Sequence, residues 1–203
     1  MVARHSALVA AAVRDGVTHV VYTSLTRAGE HLGFALAHRA TERIIEASGL
    51  EWTILRNGLY AELFGALLTW TPDGLESAFG TGALAAVART DLAAVAAAVA
   101  AAPAGQAHRT YDLVGAPVTA PDVAARLQVA HRTISLGEYR SRLLEDGALQ
   151  PFQAPMLASI ASSVRHGFLE GTGPDLLELL GRPLTDPLTV AVETARALRP
   201  GAL

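Results

Sequence analysis

The chain has 203 residues, is 51% hydrophobic and 17% charged, and carries a net charge of −3, the composition of one packed domain with material for a small cap. All sixteen basic residues are arginine and there is no cysteine, which excludes a Schiff base, a phosphate-loop lysine, a Tyr-x-x-x-Lys proton relay, disulfides and thiolate chemistry. No basic run favours nucleic acid, no apolar run is long enough to span a bilayer, and the N-terminus lacks a signal-peptide core, so a cytoplasmic protein is expected.

Met1–Arg14 reads as a helix with Val2, Val9 and Val13 on one face, stopped by Asp15-Gly16. Thr18–Ser24 follows as a strand whose Val20, Val21 and Tyr22 run together, the pattern of a central parallel strand covered on both faces. Ala35–Ala47 reads as a helix with Leu36, Ala40, Ile44 and Ala47 inward and Arg39, Glu42, Arg43 and Glu46 outward; Ser48-Gly49 ends it. Glu51–Leu55 is a second strand that delivers Arg56-Asn57-Gly58 at its carboxyl end, where open α/β sheets bind ligands.

Beyond this unit, Leu59–Trp70 reads as a buried helix closed by Thr71-Pro72-Asp73-Gly74, and Ala83–Ala88 as a short strand. Asp91 is expected to N-cap the alanine-rich helix of 92 to 102. Thr110–Val114 is a further strand and Thr119-Ala120-Pro121-Asp122 starts a short helix. The last third is mainly helical around a strand at Arg132–Ile134, with capping-box spacing at Ser135-Leu136-Gly137-Glu138 and helices at Tyr139–Asp146, Pro151–His166, Asp175–Leu180 and Leu188–Leu198. The fold class is therefore α/β: an incomplete Rossmann-type parallel sheet over 1–114, with an excursion around 59–82, and a small mainly helical substrate region over 115–203.

HSALVAAAVRDGVTHVVYTSL, HRATERIIEASGLEWTILRNGLY, ARTDLAAVAAAV, YDLVG and LLGRPLTDPL together resemble the NmrA-like branch of atypical short-chain dehydrogenases/reductases, closest to bacterial NAD(P)H:quinone oxidoreductases of type 2. The resemblance implies a Rossmann domain that binds NADPH and passes hydride to a quinone. It also implies an opening strand, Gly-rich turn and helix that cradle the pyrophosphate. Gly80-Thr81-Gly82 and Gly171-Thr172-Gly173 lack that context and read as turns. The larger class would place its Tyr and Lys at Phe34 and His38, so both groups are replaced.

Four residues are candidates for the site. His38, four before Glu42 on one helix face, reads as an acid/base whose imidazole the carboxylate orients and charges, or as a surface pair. Asn57 reads as a donor to a carbonyl of a ligand or nicotinamide, or as turn chemistry. Tyr60 offers a hydroxyl and a stacking face, or is core. Ser24 lines the nicotinamide pocket by resemblance, or is a cap; Glu62 reads as solvated, and the remaining histidines show no metal spacing.

The expected function is a truncated relative that keeps a pocket for a quinone-like or aromatic molecule, as a binder or a non-redox enzyme using His38, without holding NADPH tightly alone. The alternatives are an NAD(P)H-dependent reductase completed by a partner or an N-terminal half, and a regulatory nucleotide-sensing module. The Thr18–Ser24 strand, bare on one flank, is expected to recruit a second copy or a partner chain.

Overall fold

The computed structural model describes residues 1–26 and 31–201. Helix α1 (Val2–Arg14) leads into β1 (His19–Leu25), α2 (Ala35–Glu46) and β2 (Glu51–Asn57), the expected strand, crossover helix and strand. There follow α3 (Ala61–Ala66), β3 (Thr69–Thr71), β4 (Gly74–Ser77), β5 (Ala83–Ala86), α4 (Arg89–Ala101) and β6 (Arg109–Leu113). The chain continues through β7 (Ala116–Thr119), α5 (Ala120–Leu127), β8 (Ala130–Thr133), α6 (Leu136–Glu145), α7 (Gln153–Arg165), α8 (Asp175–Leu180) and α9 (Pro187–Ala197).

β1, β2 and β6 form a parallel sheet in that order, with Thr23 opposite Leu55, Ser24 opposite Arg56 and Leu25 opposite Asn57. The fold is thus α/β with Rossmann-type parallel strands. β1 is not central: among the described residues its only sheet partner is β2. Its unbroken apolar run reflects helices on both faces, α2 on one and α4 on the other, and coverage of the faces says nothing about the flanks.

The inward face of α2 differs from the periodicity reading. Ala35, Thr41, Glu42 and Ile45 are buried, whereas Leu36 is 59% exposed. The alanine-rich stripe gave the apolar pattern little weight, and Ser24 and Arg56 supply polar partners that draw Glu42 inward. In α1 only Val9 is buried.

Helix α3 is far shorter than Leu59–Trp70. Thr69-Trp70-Thr71, two β-branched residues around an aromatic, instead form a strand. Thr71-Pro72-Asp73-Gly74 turns it back antiparallel into β4, which pairs in parallel with β8. β7, unread in the sequence, pairs antiparallel with β5.

One apolar core runs from Leu25, Ala35 and Phe64 through Val118 and Ile160 to Ala191, and a second joins Leu55, Val95, Leu113 and Leu176. The first depends on close approach of α3 and α9: a Cβ at Gly65 would lie 2.3 Å from the Ala191 carbonyl oxygen. Gly65→Ala, which would stabilise an isolated helix, is therefore expected to cost about 2 kcal/mol here through overpacking. A thermal melt at or above the wild-type midpoint would rule this out.

Side-chain caps open three of the helices among the described residues, those at Thr119 and Ser135 where the sequence placed helix starts. Thr119 and Asp122 form a reciprocal capping box at α5, Ser135 accepts from the Glu138 amide at α6, and Asp186 accepts from Leu188 and Thr189 at α9. Asp91 is not a cap: Ala88 occupies that position and Asp91 lies buried in the first turn of α4. No helix among the described residues is long and apolar enough to cross a membrane.

Candidate functional site

The carboxyl ends of β1 and β2 open into a cavity of about 320 Å³ whose wall includes Ser24, Phe34, His38, Asn57, Tyr60 and Ile160. Thr23, Asn57 and Tyr60 also line an adjoining groove of about 200 Å³ that reaches Arg89. The site is therefore a cleft continued across the lip made by these three residues. Its wall is mostly apolar with a few polar groups, the usual composition of a small-molecule site. A larger cavity of about 630 Å³ lies elsewhere, between the β3–β4 turn, Gln128–Ala130 and Arg199, and contains none of the four candidates.

All four sequence candidates meet at this one cavity. Asn57 closes β2 one residue beyond Arg56, so the two side chains point to opposite faces. Its Oδ1 is buried without a hydrogen-bond partner, an arrangement that costs stability in the free chain and suits an incoming donor. Tyr60 is 37% exposed, with the Arg89 guanidinium 5.9 Å from its ring centroid. Glu62 is not simply solvated: its carboxylate accepts from the Arg89 amide at 3.2 Å and caps the start of α4.

Glu42 does not orient His38. Its carboxylate is buried and accepts from Ser24 Oγ at 2.5 Å and from Arg56 Nε and Nη2 at 3.1 and 2.8 Å. A two-pronged guanidinium outcompetes a single imidazole proton for a carboxylate. The Ser24 hydroxyl is correspondingly committed to Glu42. Instead, His38 Nδ1 lies 2.8 Å from the Tyr22 hydroxyl. Burial, together with the charge of nearby His5, lowers the His38 pKa below 6.5 despite the opposing effect of Glu42. The imidazole is consequently neutral at neutral pH, with one N–H to offer.

Tyr22 and Arg56 were missed in the sequence. The signal for Tyr22 was its i, i+2 relation to Ser24, which puts both on the β1 face that meets α2. Gly80 has a left-handed φ of +62°, and a Cβ at Gly82 would lie 2.0 Å from the Val164 carbonyl oxygen, so this Gly-Thr-Gly is a turn pressed against α7. Gly171–Gly173 border a separate cavity with Thr26, Arg56 and Asp112. Among the described residues no cluster of three His, Asp or Glu side chains could hold a metal ion.

Parallel strands joined by a crossover helix, with a mixed polar and apolar cleft at their carboxyl ends, define a Rossmann-type fold whose cleft lies where such sheets bind ligands. The chain is 34% identical over 195 residues to quinone oxidoreductase 2 of Escherichia coli K12, a match covering 90% of this chain and 66% of that protein. It thus spans just under two thirds of this curated relative. Triphenylmethane reductase of Citrobacter sp., solved with NADP(H), superposes with a TM-score of 0.83 at 32% identity, over 96% of this chain and 70% of the other. The NADPH-dependent quinone oxidoreductase QOR2 of E. coli gives a TM-score of 0.81 at 31% identity, over 96% and 73%. No family model matches the chain. By these likenesses the chain belongs to the NmrA-like, quinone oxidoreductase 2 family.

Proposed function

We propose that the cleft binds the ring of a quinone-like or aromatic molecule, with His38 donating to a ring oxygen and Asn57 and Tyr60 fixing the ring's orientation. The observation that carries this reading is the meeting of Asn57 and a neutral imidazole on the wall of one mostly apolar cavity: an amide NH2 and an imidazole N–H, each able to donate to a carbonyl oxygen of the ring. A neutral imidazole stabilises charge building on a carbonyl oxygen without surrendering its proton outright. The same arrangement serves a ligand binder, a non-redox acid/base enzyme or a quinone reductase.

Cofactor fit divides by moiety. The Asn57 acceptor suits the carboxamide of a nicotinamide, with Ser24 bordering that position; a nicotinamide cofactor would supply the hydride. The pyrophosphate is another matter. Gly80-Thr81-Gly82 is a turn that runs into β5, and Gly171-Thr172-Gly173 is irregular chain that follows α7 and precedes the short helix α8, so neither joins a strand to the N-terminus of a helix that could cradle it. This chain alone is therefore proposed not to hold NADPH tightly, and to act as a reductase only with residues from a further polypeptide segment or partner. The open flank of β1, with the apolar cleft beside it lined by Leu8, Val9 and Val20, is the proposed seat of a second copy or partner chain.

Calorimetric titration with 1,4-naphthoquinone tests the pocket. The wild type is expected to bind, and Asn57→Leu to lose about tenfold or more in affinity while keeping or raising its melting temperature, because it removes an unsatisfied buried polar group. Absence of binding by the wild type, or equal binding by the variant, would overturn the assignment. Fluorescence titration with NADPH tests the cofactor reading: saturable micromolar binding with quinone-dependent oxidation would make the chain a self-sufficient reductase.

A further inference from the structure

Tyr22 lies between two cavities. His38 lines the one that holds Asn57, whereas Tyr22 lines another, of about 270 Å³, with His5, Leu8, Val21, Thr41 and Ile45. The hydrogen bond between the Tyr22 hydroxyl and His38 Nδ1 spans the wall that separates them. We infer that Tyr22 is a positioning residue whose phenol holds His38 in a single tautomer, with the proton of the neutral ring on Nε2, available to the ligand.

The polarity of this bond follows from the partners. A neutral imidazole has one N–H and one lone pair, and the hydrogen bond made by one nitrogen decides which nitrogen carries the proton. The phenol is the more acidic donor and the imidazole lone pair the more basic acceptor, so the stable arrangement is O–H to Nδ1. Burial raises the Tyr22 pKa above 10.0, against the Thr41 hydroxyl beside it and with the Glu42 carboxylate, so the phenol keeps its proton throughout the neutral range.

Of the surrounding groups only the Thr41 hydroxyl also meets the phenol hydroxyl; the others are engaged elsewhere. Glu42 is committed to Ser24 and Arg56. His5 meets the Tyr22 ring edge-on at 5.7 Å, with its own Nδ1 held by Thr41 Oγ1 at 2.9 Å. Thr41 donates its hydroxyl proton to the Ala37 carbonyl. Without the phenol nothing selects the tautomer, and the form with a proton on Nδ1 would turn a lone pair toward the ligand oxygen.

The consequence for ligand binding rests on the proposed function, but the tautomer is a property of the free chain and is measured separately. Long-range ¹H–¹⁵N spectra of the ligand-free wild type should show His38 as the Nε2–H tautomer alone, and Tyr22→Phe should show a mixture. The variant's affinity for 1,4-naphthoquinone should fall about 2- to 10-fold, the worth of one misdirected hydrogen bond, while naphthalene, which has no oxygen, binds both proteins alike. A wild-type ring protonated on Nδ1, or a variant with an unchanged tautomer, would overturn the inference. Should Tyr22→Phe fail to fold, the wild-type spectrum decides alone. Naphthoquinone failing to bind the wild type would sink the pocket assignment and leave the tautomer result standing.

Discussion

Glu42→Ala is expected to lower stability by about 3 kcal/mol, at the low end for breaking a buried ion pair because Arg56 keeps partial contact with water. The carboxylate is 4% exposed and the Arg56 side chain 34%. The loss would strand both prongs of Arg56 and the Ser24 hydroxyl, tying the effect to the α2–β1–β2 junction that carries His38 and Asn57. In urea the midpoint should drop with the slope unchanged. Burial pushes the Glu42 carboxyl up, but the hydrogen bonds from Arg56 and Ser24, reinforced by the Arg56 charge, more than offset it and hold the pKa below 4.5. A depressed carboxylate contributes fully above its unfolded value and loses that contribution as pH falls through its folded value. Wild type and variant should therefore converge in acid, and a gap that persists unchanged to low pH would count against the ion pair as its source.

How much of this was legible depends on the range of the interaction. The strand, helix and strand of 18–60 could be read because periodicity is local and Ser48-Gly49 punctuates it. The helix starts at Thr119 and Ser135 could be read for the same reason. The site residues His38, Asn57, Tyr60 and Ser24 fall together because both strands end at one edge of the sheet. What failed was partner choice. The His38–Glu42 spacing correctly places both on α2, yet each side chain turns to a strand residue that no spacing rule names: Tyr22, sixteen positions away, and Arg56, fourteen away. Likewise the β4–β8 pairing joins segments more than fifty residues apart, and nothing local in Gly74–Ser77 identifies its partner. The buried carboxylates Glu42, Glu76 and Asp91 were each unread as core, because burial of a charge is decided by a distant arginine or amide.

Asp91 provides the second large effect. Asp91→Ala is expected to cost about 3 kcal/mol, because a carboxylate with no exposed surface would leave three donors behind at once. The Thr185 amide donates to it at 2.7 Å, the Thr185 hydroxyl at 2.9 Å and Arg182 Nη2 at 2.8 Å. These bonds fasten the segment between α8 and α9 to the first turn of α4, where the helix dipole also favours a negative charge. Burial pushes the Asp91 carboxyl up; the Thr185 amide, Arg182 and the Thr185 hydroxyl together bring it below 3.8. Its contribution is thus complete above the unfolded value and disappears only as pH falls through the still lower folded one. Arg182→Ala separates the parts: that side chain is 49% exposed, so its removal should cost no more than about 1 kcal/mol. Chemical denaturation of both variants gives the comparison, and proteolysis should cut the Gly181–Pro183 stretch faster in Asp91→Ala than in Arg182→Ala. Equal losses in the two variants would mean that the ion pair, rather than the Thr185 amide and hydroxyl, holds this segment against α4.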